Sequence, residues 1–167
     1  RQHMDAAGGG AADALEARIR SYEMAARMQT AVPEAADVDG EPEHVKRIAE
    51  LATEGYYNGV PFHRVIPGFM AQGGDGKNFN GTGGSSKPNL KQEFSKEPHV
   101  RGVCSMARSS MPNSANSQFF ICLDDARFLD KQYTAFGRVV RGLEAADKIV
   151  SSPRDGRDNP NERVEMK

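Results

Sequence analysis

The sequence predicts a mainly β protein, an antiparallel sandwich or barrel that carries two helices, and three observations lead there. After Gly55 the chain breaks into short apolar runs, VPFHRVI, FMAQGG, VCSMA, SQFFICL, TAFGRVV and a final ERVEMK, separated by glycine, proline and polar turns. Within that stretch and the residues just before it, helical stripes occur only in the segments 42–55 and 143–150. The 167 residues, 38% hydrophobic and 27% charged, suit one globular domain, and 7% aromatics leave it a modest core.

Taken in order, residues 13–29 place Leu15, Ile19, Tyr22 and Ala26 on one face of an amphipathic helix, preceded by Gly8, Gly9 and Gly10. The following AVPEAADVDGEP holds two prolines, a glycine and four acids and reads as a linker. The expected division is therefore an atypical helical segment with linker at 1–41 and a domain at 42–167. Pro42 and Glu43 open the next helix, where Val45, Ile48 and Leu51 repeat at helical spacing and Gly55 is the C-cap. The six β runs follow, and Leu143, Ala146, Ile149 and Val150 form the stripe of the last helix. The stretch 73–84 reads as a glycine-rich loop, and the glycines of its run 73–78 as needing positive φ angles.

The densest chemistry lies in FHRVIPGFMAQGGD. Simple alternation puts Phe62, Arg64 and Ile66 on one strand face and His63 and Val65 on the other, leaving an arginine in an apolar row. That is either a surface face with a snorkelling cation, or a shallow apolar pocket with one positioned cation, walled by Phe69 and Met70 beside the amide of Gln72. In SQFFIC, alternation separates Gln118 and Phe120 from Phe119 and Ile121, so one face reads as core and the other as site. Gln118 taken alone is more often a structural hydrogen-bonding residue. Phe128, Leu129 and Tyr133 add an apolar group on a turn.

Other chemistries fail. Lys and Arg total 22 against 23 Asp and Glu, so no net field holds nucleic acid or an anionic membrane. No apolar run of about 18 residues spans a membrane, and RQHMDAAGGG lacks the apolar core of a signal peptide. GGDGKN lacks the spacing of a phosphate-binding loop, and no GxSxG elbow marks a nucleophilic serine. His3, His44, His63 and His99 have no partners at zinc spacing and read as surface or structural, so neither metal nor other cofactor is expected. Cys104 and Cys122, at no metal-ligand spacing, read as free thiols in a reducing compartment, the cytoplasm.

In FHRVIPGFMAQGGD, MARSSMPNSANSQFFI and FLDKQYTAFGRV, the chain closely resembles the cyclophilin family of peptidyl-prolyl cis/trans isomerases, from about Glu43 to Met166. Phe128 and Tyr133 are similar to its bacterial branch. The resemblance implies an eight-stranded antiparallel β-barrel with a helix covering each end. It implies that Arg64 is catalytic, that Phe69, Met70, Phe120 and Leu129 receive the proline ring, and that His63, Ile66 and Gln72 flank the site. By the same resemblance Gln118 holds the substrate backbone, Ala107, Arg108 and Ser109 line the strand along which the peptide lies, and Gly81 and Thr82 sit beside the residues preceding proline. Phe128 and Tyr133 stand where the eukaryotic branch often has Trp and His, which implies weakened binding of cyclosporin-type ligands.

The chain departs from the family at its start, where two strands are expected and residues 1–41 read as helix and linker. Within them, LEARIRSYEMAARMQTAVPEA resembles a segment of a sulfatase-like family of bacterial proteins. A barrel short of two strands exposes edges that invite self-association. The expected partners are proline-containing peptides and unfolded proteins, with an isomerase as the leading reading and a non-catalytic proline-peptide-binding or chaperone module as the alternative.

Overall fold

In the computed structural model, residues 43–167 are the described residues. The amphipathic helix, the linker and the missing strands, all at 1–41, lie outside them. Helix α1 (Glu43–Thr53) turns Val45, Ile48 and Leu51 inward, as their spacing requires. Its N-terminus is capped from far along the chain: the Glu93 carboxylate accepts the backbone N–H of Glu43 and of His44, each at 3.0 Å. Two otherwise orphaned donors and the positive end of the helix dipole are thereby satisfied. Gly55, with φ of 75°, closes the other end, its N–H bonding Ala52 O at 3.1 Å while Tyr56 N–H bonds Leu51 O at 2.9 Å.

The sheet contains β1 (Phe62–Ile66), β2 (Met70–Gly73), β3 (Val103–Met106), β4 (Phe119–Cys122) and β5 (Ala135–Arg138), all antiparallel, in the order β1-β2-β4-β3-β5. Of the eight strands implied, five form among the described residues. ERVEMK contributes only a bridge, Pro61 to Glu165, extended by Phe62 N–H to Val164 O at 2.9 Å and Gly59 N–H to Met166 O at 2.7 Å. Val164 and Met166 are nonetheless buried.

The inner face of the sheet is the core. Phe62, Val65, Ala71, Cys104, Met106, Phe119, Ile121 and Phe136 pack there against α1 and against α2 (Leu143–Val150), whose Ala146, Ile149 and Val150 are buried. Phe119 is its aromatic hub, meeting Tyr57, Phe62 and Phe136 edge-on at 5.5, 6.5 and 6.4 Å.

Two expectations need correction. Phe62 does not share a face with Arg64. Opposite β2, Phe62 pairs with Gly73 and Arg64 with Gln72, so His63 is an extra residue, a β-bulge that reverses the alternation. Of the two readings left open for the histidines, surface or structural, His44, His63 and His99 take the buried one. In the run 73–78 only Gly74 has positive φ. Gly76 is there for space, since a Cβ would lie 2.7 Å from the Tyr56 ring.

Candidate functional site

The bulge at His63 is what builds the site. With the register reset, β1 turns Arg64 and Ile66 to the outer face, where β2 presents Met70 and Gln72 and β4 presents Phe120 and Cys122. One row of partners crosses the whole sheet, Arg64 to Gln72 to Phe120 to Ser105 to Ala135. A cation, an amide and an aromatic ring thus stand side by side on rigid strands.

Around Phe120 lies an apolar bowl. Met70 and Phe120 are its buried floor, at 2% and 5% exposure, and Ile66, Phe69, Ala107, Leu129 and Tyr133 form a half-open wall. Phe128 is 64% exposed and stacks flat on Phe69, centroids 5.6 Å apart, lengthening the rim. Tyr133 meets Phe120 edge-on at 5.8 Å and carries the Arg108 guanidinium 4.8 Å above its ring. Arg108 is committed, donating to Gln132 O and Ser109 O. Arg64, exposed, has no ion-pair or hydrogen-bond partner for its guanidinium among the described residues.

A polar cleft of about 480 Å³ adjoins the bowl, lined in part by Gln72, Gly81, Thr82, Ala107, Arg108, Ser109 and Gln118. Gln118 is its strut: Nε2 donates to Gly81 O at 2.8 Å and Gly83 O at 2.7 Å, and Oε1 accepts from Gln72 Nε2 at 3.1 Å. Both N–H groups of the Gln118 amide are thereby engaged within the fold. Gln72 keeps its Oε1 and one N–H unspent among the described residues.

A family model described as cyclophilin type peptidyl-prolyl cis-trans isomerase/CLD matches residues 36–167. The chain belongs to the cyclophilin family. It is 60% identical over 118 residues to a probable peptidyl-prolyl cis-trans isomerase of Brucella abortus (strain 2308), an alignment covering 65% of this chain and 60% of the relative. The chain therefore spans about 60% of the length of the Brucella relatives it matches. Peptidyl-prolyl cis-trans isomerase-like 3 of Dictyostelium discoideum is 40% identical over 133 residues, covering 77% of this chain and 81% of the relative. Among solved structures, a cyclophilin type isomerase of Cryptosporidium parvum, crystallised in the presence of the dipeptide Ala-Pro, matches with a TM-score of 0.71 and 32% identity, over 75% of this chain and 82% of that one.

Within this cyclophilin, the loop beside the cleft hangs on Asp75, a residue that sequence reasoning missed. Fully buried, its Oδ1 accepts the N–H of Lys77 and Asn78 and its Oδ2 those of Asn80, Gly81 and Gly83, at 2.9–3.2 Å. Burial pushes this carboxyl up, but the backbone N–H groups outweigh it and bring it down to about 2. The available signal was an Asp heading a glycine-rich turn, where its side chain caps the backbone that follows. His63 lies beneath this loop, 6% exposed, with Nδ1 unpartnered among the described residues. Burial holds its imidazole below the ordinary value, opposed by Asp75 and aided by Arg64, so it is neutral at pH 7.

The thiols sit on opposite faces, Cys104 in the core and Cys122 behind the bowl, both buried and unpaired. No helix among the described residues is long and apolar enough to cross a membrane.

Proposed function

We propose that this cyclophilin accelerates cis/trans rotation about Xaa-Pro bonds in peptides and unfolded proteins, with Arg64 as the catalytic residue. The observation that carries the reading is the cross-sheet row, which sets a guanidinium with no partner among the described residues beside an amide and an apolar bowl. Rotation about a peptide bond meets a barrier of about 18–20 kcal/mol because the nitrogen lone pair is delocalised into the carbonyl. In the twisted transition state that pair is localised on a pyramidal nitrogen and can accept a hydrogen bond. A guanidinium N–H from Arg64 then makes a bond stronger in the transition state than in either ground state, which is what lowers a barrier.

In this reading Met70, Phe120, Phe69 and Leu129 clamp the proline ring, with Ile66, Phe128 and Tyr133 at the rim. The unspent groups of Gln72 hold the peptide backbone, Gln118 supports them through the 81–83 loop, and Ala107, Arg108 and Ser109 flank the chain before proline with Gly81 and Thr82. His63 supports this loop from below. No nucleophile or cofactor enters the step. The relative solved in the presence of Ala-Pro supports a proline-peptide ligand. Phe128 and Tyr133 support weak binding of cyclosporin-type ligands, which competition against a bound peptide measures. The edges of β1 and β5, which pair with no further strand among the described residues, support self-association, which sedimentation velocity reads, and the two unpaired thiols support residence in the cytoplasm.

The deciding experiment is NMR exchange spectroscopy on a short Xaa-Pro peptide with the parent chain and Arg64→Ala. Acceleration by the parent and its loss in a folded variant are expected. A folded parent that binds the peptide without accelerating exchange refutes the enzyme and leaves the binding module.

A further inference from the structure

Behind the bowl lies a buried polar chain that the catalytic step does not use. His99 is 1% exposed and held at both ring nitrogens, Nδ1 at 2.9 Å from Asp130 Oδ1 and Nε2 at 2.9 Å from Ser105 Oγ. Its backbone N–H donates to the same Asp130 oxygen at 2.7 Å. The carboxyl of Asp130 is held below its ordinary value by that N–H and by the ring, so it is an acceptor at pH 7. In the neutral imidazole, Nδ1 then carries the proton and Nε2 accepts from the Ser105 hydroxyl. The order Asp-His-Ser is that of a hydrolase triad, but Ser105 is completely buried, so no substrate reaches it.

The arrangement faces the site. The His99 ring stacks on Phe120, centroids 6.2 Å apart and planes 21° from parallel. Ser105 is the cross-strand partner of Phe120, in the same row as Gln72 and Arg64. Asp130 directly follows Leu129, so one carboxylate ties His99 to the turn that bears Phe128, Leu129 and Tyr133. A stacked ring braces its neighbour only if it cannot itself rotate, and hydrogen bonds at opposite edges remove that freedom. We propose that His99 is a positioning residue for the isomerase site, clamped by Asp130 and Ser105 so that it fixes the ring of Phe120 in the pose that receives proline. The inference rests on the isomerase reading for its link to turnover, but not for the bracing itself.

Two measurements on the full chain separate those parts. In the free protein, ¹⁵N spectra should show Nδ1 of His99 as protonated and Nε2 as bare, and Ser105→Ala should speed flipping of the Phe120 ring. With an Xaa-Pro peptide at saturation, Ser105→Ala should lower turnover by about tenfold, short of the hundredfold that a full 1 Å misplacement costs. Peptide affinity should stay within about twofold, the KM-against-kcat split of a transition-state effect. Asp130→Asn keeps an oxygen that can accept both His99 N–H groups and should retain parental turnover, whereas Asp130→Ala should not. Asp130 has a side chain 34% exposed, so this pair carries the test if Ser105→Ala does not fold. The reverse tautomer, parental ring flipping and turnover in Ser105→Ala, or equal loss in Asp130→Asn and Asp130→Ala would each overturn the proposal. An inactive parent with the expected tautomer and faster flipping in Ser105→Ala refutes the isomerase reading and upholds the brace.

Discussion

Replacing Asp75 by Asn removes one oxygen and a charge while keeping size, and the structure gives the expected cost. Oδ1 accepts two backbone N–H groups and Oδ2 three, so whichever oxygen becomes NH₂ is turned against at least two donors. Five charge-assisted bonds counted separately at about 1.5–3 kcal/mol each would reach or exceed the whole stability of many domains, so they act as one unit. A sounder lower figure comes from protonation. The carboxyl lies at about 2 against an ordinary 3.8, a gap worth about 2 kcal/mol at 1.36 per unit. Because the folded value is the lower one, this stability is complete above the unfolded value and is lost as pH falls toward 2. Asp75→Asn, which also misdirects donors, should cost about 2–4 kcal/mol at pH 7, near the range for breaking a buried charge network. Urea unfolding at pH 7 and at pH 3 measures it: the parent should weaken between the two, and the gap between parent and variant should shrink. Because Gly81 O and Gly83 O anchor Gln118, and Gln118 anchors Gln72, the variant should also bind peptide more weakly. A variant within about 0.5 kcal/mol of the parent, the ordinary scatter of a surface substitution, refutes the account.

Other consequences are as direct. Gly81 has φ of 92° and a Cβ there would lie 2.8 Å from His63 Nε2, so Gly81→Ala should lower stability in denaturant by about 1–3 kcal/mol; an unchanged midpoint would show that the loop does not rest on His63. The Cys104 and Cys122 thiols are each pushed up to about 12, chiefly by burial, so iodoacetamide at pH 8 should label them only after unfolding, and rapid labelling of the native chain would contradict their packing.

How far the sequence was legible follows from how local each cause is. The helical stripes of α1 and α2 and the Gly55 cap depend on neighbours within two turns, and they were read with nearly the right limits. Alternation was right on β4, which pairs with β2 and β3 without a shift, and wrong on β1, where one extra residue, His63, reverses the faces. Nothing in VPFHRVI marks the bulge, because it is defined only against the partner strand. The same holds for Glu93 capping α1 and for Asp130 holding His99: each depends on contacts that only the folded chain creates.

The bulge has a further consequence for how site and stability are coupled. On β4, Phe119 and Ile121 belong to the core while Phe120 and Cys122 belong to the site side, so adjacent residues serve opposite faces of one strand. A change at Phe120 is therefore felt by both, through its own burial and through the strand that carries Phe119. Arg64 escapes this coupling. It is exposed, and the bulge gives β1 its core contacts through Phe62 and Val65 while leaving the arginine side chain out of the packing. The Arg64 guanidinium can be removed with little loss of fold, whereas the floor of the apolar bowl cannot be altered without disturbing the core.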